Sequence, residues 1–124
     1  MVRLFVYGTL KRGGRNHGLV ADRLQGVIPG FVEGYRLFHL EKGRPYPYPG
    51  MVPGPGRVYG EVLLLPEEVL PLIDDLEDEG VEYQRRRVTV QTEKGPLEAW
   101  TYLYLGDLSQ AVPLPEGVWP IVEP

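Results

Sequence analysis

Apolar residues crowd together over positions 3–7 and Gly8 ends the run, so the chain is expected to begin with a short buried strand. Apolar character returns at Val27-Ile28 and over 31–40, with Pro29-Gly30 between them as punctuation. Strict alternation over that second stretch places Phe31, Glu33, Tyr35, Leu37 and His39 on one face. Val32, Gly34, Arg36, Phe38 and Leu40 fall on the other, so each face is expected to be partly buried. A further strand is expected over 58–65. Pro66-Glu67-Glu68 then has the form of a helix start, since proline is tolerated in the first turn and carboxylates suit the dipole there. Val69, Leu72, Ile73 and Leu76 recur at helical spacing. Pro71 moves the start toward Leu70, because an interior proline costs about 3 kcal/mol, and Gly80 closes the segment. Residues 83–92 and 97–105 read as two antiparallel strands joined by Glu93-Lys94-Gly95-Pro96.

The remaining segments are turn material. Gly8, Gly13, Gly14 and Gly18 make residues 8–18 a loop with several positions free to adopt positive φ, and 18–24 has room for one or two helical turns. The prolines at 45, 47, 49, 53 and 55 are too dense for a ladder or a helix, so residues 44–56 are expected to be an ordered loop or extended segment. Residues 107–124 form a proline-rich C-terminal tail, with Trp119 as its anchor. Strands and one main helix without regular alternation indicate an α+β fold. The expectation is a single domain over 1–124, built on a small mixed, barrel-like sheet of five to seven strands with short helical turns.

Composition narrows the chemistry. The chain has 124 residues, 43% hydrophobic and 24% charged, which suits a packed interior rather than disorder. With no cysteine, disulfides, thiolate metal sites and thiol nucleophiles are excluded. His17 and His39 lack metal-ligand spacing, so no metal site is expected. A net charge of −4 disfavours nucleic acid as the main partner, although Lys11, Arg12 and Arg15 form a local basic cluster suited to a small anion. No apolar stretch approaches the ~20 residues of a membrane span, and a soluble, cytoplasmic protein is expected. The glycine loop lacks both GxxxxGK[ST] and GxGxxG, so a nucleotide cradle is poorly supported. Its amides are able instead to converge on a carboxylate or a developing oxyanion.

Phe5-Val6-Tyr7-Gly8-Thr9-Leu10, with Gly13 and Asn16 after it, resembles the signature loop of the gamma-glutamylcyclotransferase-like proteins, in which a strand runs into a YGTL or YGSL turn. Three further stretches agree in order: Tyr48-Pro49-Gly50-Met51-Val52-Pro53, Val58-Tyr59-Gly60-Glu61-Val62, and Ile73-Asp74-Asp75-Leu76-Glu77 leading to Tyr83 and Arg85. The resemblance covers about residues 2 to 105. It implies a small mixed barrel with a cavity at the YGTL turn, flanked by the proline segment, and no metal or organic cofactor. A glutamate near the helix end would take a proton from the alpha-amino group of a small gamma-glutamyl ligand. The freed amine would then attack the gamma-carbonyl and release 5-oxoproline.

In that family the usual run is Leu-Asp, two residues, then Glu-Gly; here the Asp-x-x-Glu spacing selects Glu77, but Asp78 stands at the glycine position. Glu79-Gly80 restores the pair two residues late, so Glu79 is the alternative base, and Glu82 a third candidate expected to point away from Tyr83. The resemblance gives Tyr7, Gly8, Thr9 and Leu10 as the binding loop, Arg15 or Asn16 for the substrate's alpha-carboxylate, and Arg85 for the family's Tyr-x-Arg. Tyr104 is a candidate lining residue, although Trp100, Tyr102 and Tyr104 share a face and also fit a core stripe. Arg86 points outward if Arg85 and Arg87 face the cavity side. The leading reading is a cyclotransferase-type transferase or lyase; the alternative is a non-catalytic small-ligand-binding protein on the same fold.

Overall fold

The computed structural model describes residues 1–120. Strand β1 (Val2–Val6) lies antiparallel to β3 (Tyr48–Leu65) and parallel to β5 (Gly95–Tyr104). β5 pairs antiparallel with β4 (Tyr83–Thr92), β4 with β2 (Gly26–Leu40), and β2 with β3, which closes a mixed five-stranded barrel. Helix α1 (Leu70–Glu77) follows a short 3₁₀ turn at Glu67–Val69, and two more such turns fill 17–23. The barrel interior is packed by side chains from all five strands, among them Phe5, Val32, Val62, Val88, Val90 and Ala99. The opposite face of β1, carrying Leu4 and Val6, packs with Val69 and Ile73 of the helical segment. Leu72 departs from the expected apolar stripe of α1 and is 56% exposed.

Four expectations need correction. Pro29-Gly30 does not divide β2, which runs unbroken through it, because both residues pair with β3 at Glu61 and Gly60. Strict alternation along β2 fails at Gly34, which takes φ 87° in a bulge where the pairing jumps from Glu33↔Arg57 to Tyr35↔Pro53. The bulge shifts the phase by one residue, so Val32 and Leu37 share the interior cluster while Val27, Phe38 and Leu40 share the other. The proline-rich segment is strand from Tyr48 onward. Its ladder to β2 survives because β1 reaches only Glu61–Leu65, so no neighbour on the other side needs the missing proline N–H groups. The β4–β5 turn is also tighter than expected: Thr92 faces Gly95 across a two-residue turn, and Gly95 and Pro96 belong to β5.

The segment after Gly106 adds strand β6 (Val112–Pro113) to β2 at Phe38 and His39. Trp119 is 8% exposed and its ring stacks on His39 at 5.2 Å, as expected of an anchor. Residues 121–124 of the expected tail lie outside the described residues.

Candidate active site

Where β1 leaves the barrel, the chain turns sharply beside Pro49. A Cβ on Gly8 would stand 2.3 Å from the Pro49 ring, so only glycine lets the loop pass there. Asn16 closes the loop twice. Its backbone N–H donates to the Thr9 carbonyl at 2.8 Å and its side-chain amide to Thr9 Oγ1 at 3.0 Å. Arg12 fastens the far side, its N–H and guanidinium both donating to Glu61. Among the described residues none of the loop's hydrogen bonds uses the N–H of Gly8, Thr9 or Leu10.

These residues border an open cavity of about 580 Å³, mouth included. Opposite the loop stand Leu76 and Glu77 at the end of α1, then Glu82 and Tyr83, with Tyr46, Tyr48, Pro49 and Tyr102 completing the walls. The end of α1 sets the position of Glu77. Asp78 turns left-handed at φ 53°, ψ 55°, its N–H reaching the Asp75 carbonyl at 3.3 Å and that of Glu79 the Asp74 carbonyl at 3.0 Å. This is a Schellman stop with aspartate where glycine is usual.

The two carboxylates at the cavity differ in what holds them. Glu82 accepts a hydrogen bond from the Tyr48 hydroxyl and lies 3.9 Å from the Arg44 guanidinium, which also donates to the hydroxyls of Tyr48 and Tyr104. Glu77 has no hydrogen bond or ion pair among the described residues. Burial raises its carboxyl to about 7, and the neighbouring charge of Glu82 adds to the rise. The hydroxyls beside Glu77 are held in protonated form: burial, then the charge of Glu77, pushes Tyr7 well above its usual value, and burial likewise raises Tyr83 and Tyr102. Each hydroxyl is also engaged, Tyr7 to the Tyr102 carbonyl, Tyr83 to the Pro49 carbonyl and Tyr102 to Asp74. Tyr48 is pushed up to about 12, by burial first and then by its bond to Glu82.

The cavity therefore brings together Tyr7, Gly8, Thr9, Leu10, Asn16, Glu77 and Glu82. Glu79 stays outside, exposed, accepting the backbone N–H of Arg85. Arg85 pairs with Asp74 at 3.5 Å and lies over the Trp100 ring, away from the cavity. Tyr104 is buried behind the wall with its hydroxyl bound to Arg44, and Arg15 stands at the rim on Tyr46. Glu82 does not point away from Tyr83. It precedes β4 in a turn held by the Asp78 carbonyl, so strand alternation does not govern it. The aromatic wall of Tyr46, Tyr48 and Tyr102 was not assigned from sequence, although the Tyr48-Pro49 stretch carried part of the signal.

The chain resembles known proteins in sequence and in fold. The family model for "Gamma-glutamyl cyclotransferase, AIG2-like" matches residues 4–120. The "Gamma-glutamylcyclotransferase family protein YtfP" of Escherichia coli is 34% identical over 119 residues, covering 95% of this chain and 96% of that one. The bovine "Gamma-glutamylaminecyclotransferase" is 35% identical over 106 residues, covering 80% of this chain and 63% of that one. Among solved structures, a mouse AIG2-like protein superposes with a TM-score of 0.73 at 28% identity, covering 89% of this chain and 81% of the other.

Proposed function

This chain belongs to the gamma-glutamyl cyclotransferase, AIG2-like family, and from that premise we propose that it releases 5-oxoproline from a gamma-glutamyl amine or amino acid by glutamate general-base catalysis. The observation that carries this reading is the carboxyl of Glu77. It is uncommitted, lifted to about 7, and borders the same cavity as the free amides of the YGTL turn. A base poised near neutrality serves proton transfer best.

Glu77 takes a proton from the substrate's alpha-ammonium group, and the freed nitrogen attacks the gamma-carbonyl carbon. The ring C–N bond forms while charge collects on the carbonyl oxygen, where the N–H groups of Gly8, Thr9 and Leu10 are the available donors. As the tetrahedral centre collapses, the bond to the leaving nitrogen breaks and Glu77 returns its proton to that nitrogen. The ring nitrogen then gives its second proton to the same carboxylate, leaving the lactam N–H, and that proton passes to the departing amine, which leaves as an ammonium. Asn16 is suited to the alpha-carboxylate of the glutamyl part. Glu82, held by Tyr48 and Arg44, stays beside the ammonium as a fixed negative charge. Because ring closure is intramolecular, holding the substrate folded between loop and helix supplies much of the acceleration.

The test is release of 5-oxoproline from gamma-glutamyl amino acids and amines by the parent chain and by Glu77→Gln. Loss of the base is expected to lower kcat roughly 100- to 10,000-fold. A Glu77→Gln variant at the parent rate overturns the mechanism, and ligand binding without product from the parent chain selects a non-catalytic binding protein instead.

A further inference from the structure

The cavity rim carries two guanidiniums in opposite states. Arg44 is consumed by Glu82, Tyr48 and Tyr104. Arg15 lies over the Tyr46 ring with its guanidinium carbon 3.9 Å from the ring centre, and has no ion pair or hydrogen bond among the described residues. Its basic neighbours are spent elsewhere, Arg12 on Glu61 and Lys11 on the Trp119 carbonyl at 2.7 Å. Tyr46 itself lines the cavity and meets Tyr48 edge to face at 6.0 Å. The ring on which Arg15 rests is thus part of the cavity wall.

From this arrangement we propose that Arg15 reads a carboxylate on the leaving amine, so that gamma-glutamyl amino acids are favoured over gamma-glutamyl derivatives of neutral amines. The inference rests on the proposed cyclotransferase reading and names its substrate class. A guanidinium resting 3.9 Å from an aromatic ring centre, with no protein partner for its N–H groups among the described residues, has those groups free for a carboxylate, which it is able to engage with two parallel bonds. Position within the loop separates the two anions of such a substrate. Asn16 lies in the cavity wall against Thr9, within reach of the glutamyl part, while Arg15 is exposed at the rim where the leaving group emerges. Charge agrees: the interior carries Glu77 and Glu82, so a leaving-group carboxylate is repelled from the floor and drawn to Arg15, which is uncommitted among the described residues.

The experiment compares gamma-glutamyl-alanine with gamma-glutamyl-alaninamide, which differ only in the carboxylate. The ratio of their kcat/KM values is measured for the parent chain, Arg15→Met, Arg15→Lys and, as a remote control of equal charge change, Arg86→Gln. The parent is expected to prefer the acid by roughly fivefold or more, a preference that shrinks as salt is added. Arg15→Met abolishes it, Arg15→Lys restores part of it, and Arg86→Gln keeps it. An unchanged ratio in Arg15→Met overturns the proposal, including the case where both substrates lose equally because Arg15 holds the alpha-carboxylate they share. If the parent chain turns over neither compound, the cyclotransferase reading fails by itself. The ratio of the two Kd values, parent against Arg15→Met, then decides the Arg15 assignment by the same criterion.

Discussion

A carboxyl with a pKa of about 7 is poised to accept the substrate's proton and to hand it back, and this ties the proposed activity of Glu77 to pH. Only the ionised form is a base, so kcat/KM is expected to rise about tenfold per pH unit up to an inflection near 7 and to level off above it. The groups around it are Glu82, with Tyr48 and Arg44 attached, and the protonated hydroxyls of Tyr7, Tyr83 and Tyr102. Glu82→Gln removes the negative neighbour and leaves Arg44 less compensated. The inflection is expected to move to lower pH, while burial, the larger cause, keeps it above an ordinary carboxylate. Rates of 5-oxoproline release from pH 5 to 9 check both statements, and an inflection that stays in place removes Glu82 from the electrostatics of the base. At this scale the spacing Asp74-x-x-Glu77 was legible because a helix converts sequence separation into position. The Glu79-Gly80 pair falls outside the cavity, because the helix is already stopped two residues before Gly80 by a left-handed Asp78.

Among elements, α1 is stopped by a residue that is not ideal for the job. A left-handed Asp78 is strained relative to glycine, and the helix end it shapes fixes Glu77 against the loop. Asp78→Gly is expected to raise stability by about 0.5–1 kcal/mol, read as a higher urea midpoint with unchanged slope. The opposite substitution belongs to the bulge: Gly34→Ala at φ 87° is expected to lower stability by about 1 kcal/mol, with no steric contact to blame, since nothing lies within 4 Å of the added Cβ. The bulge also explains why the β2–β3 hairpin was only half legible. Alternation correctly marks both faces of β2 as buried, yet a period-two reading cannot foresee the phase change at Gly34. Prolines signal a loop locally. That β3 has a free edge at Pro49, Pro53 and Pro55 follows only from which strands lie beside it.

For the whole molecule, a closed barrel with one helix packed on it has to hold a partly desolvated ionisable group in a cavity wall, and that arrangement sets stability against the proposed chemistry. In the unfolded chain Glu77 titrates near the ordinary glutamate value of 4.5, whereas in the folded chain burial lifts it to about 7. Between those values the folded state binds more protons than the unfolded state. Stability from this group is therefore complete below about 4.5, declines as pH rises, and is fully lost above about 7. Glu77→Gln cannot ionise, so the variant is expected to lose this part of the pH dependence and to exceed the parent above pH 7 by roughly 1–3 kcal/mol. Urea midpoints of the two proteins at pH 5, 6, 7 and 8 read this directly: the curves diverge with rising pH if the carboxylate is held at a cost, and run parallel if it is not. A variant that is more stable and inactive would identify Glu77 as a residue kept for its chemistry against the preference of the fold.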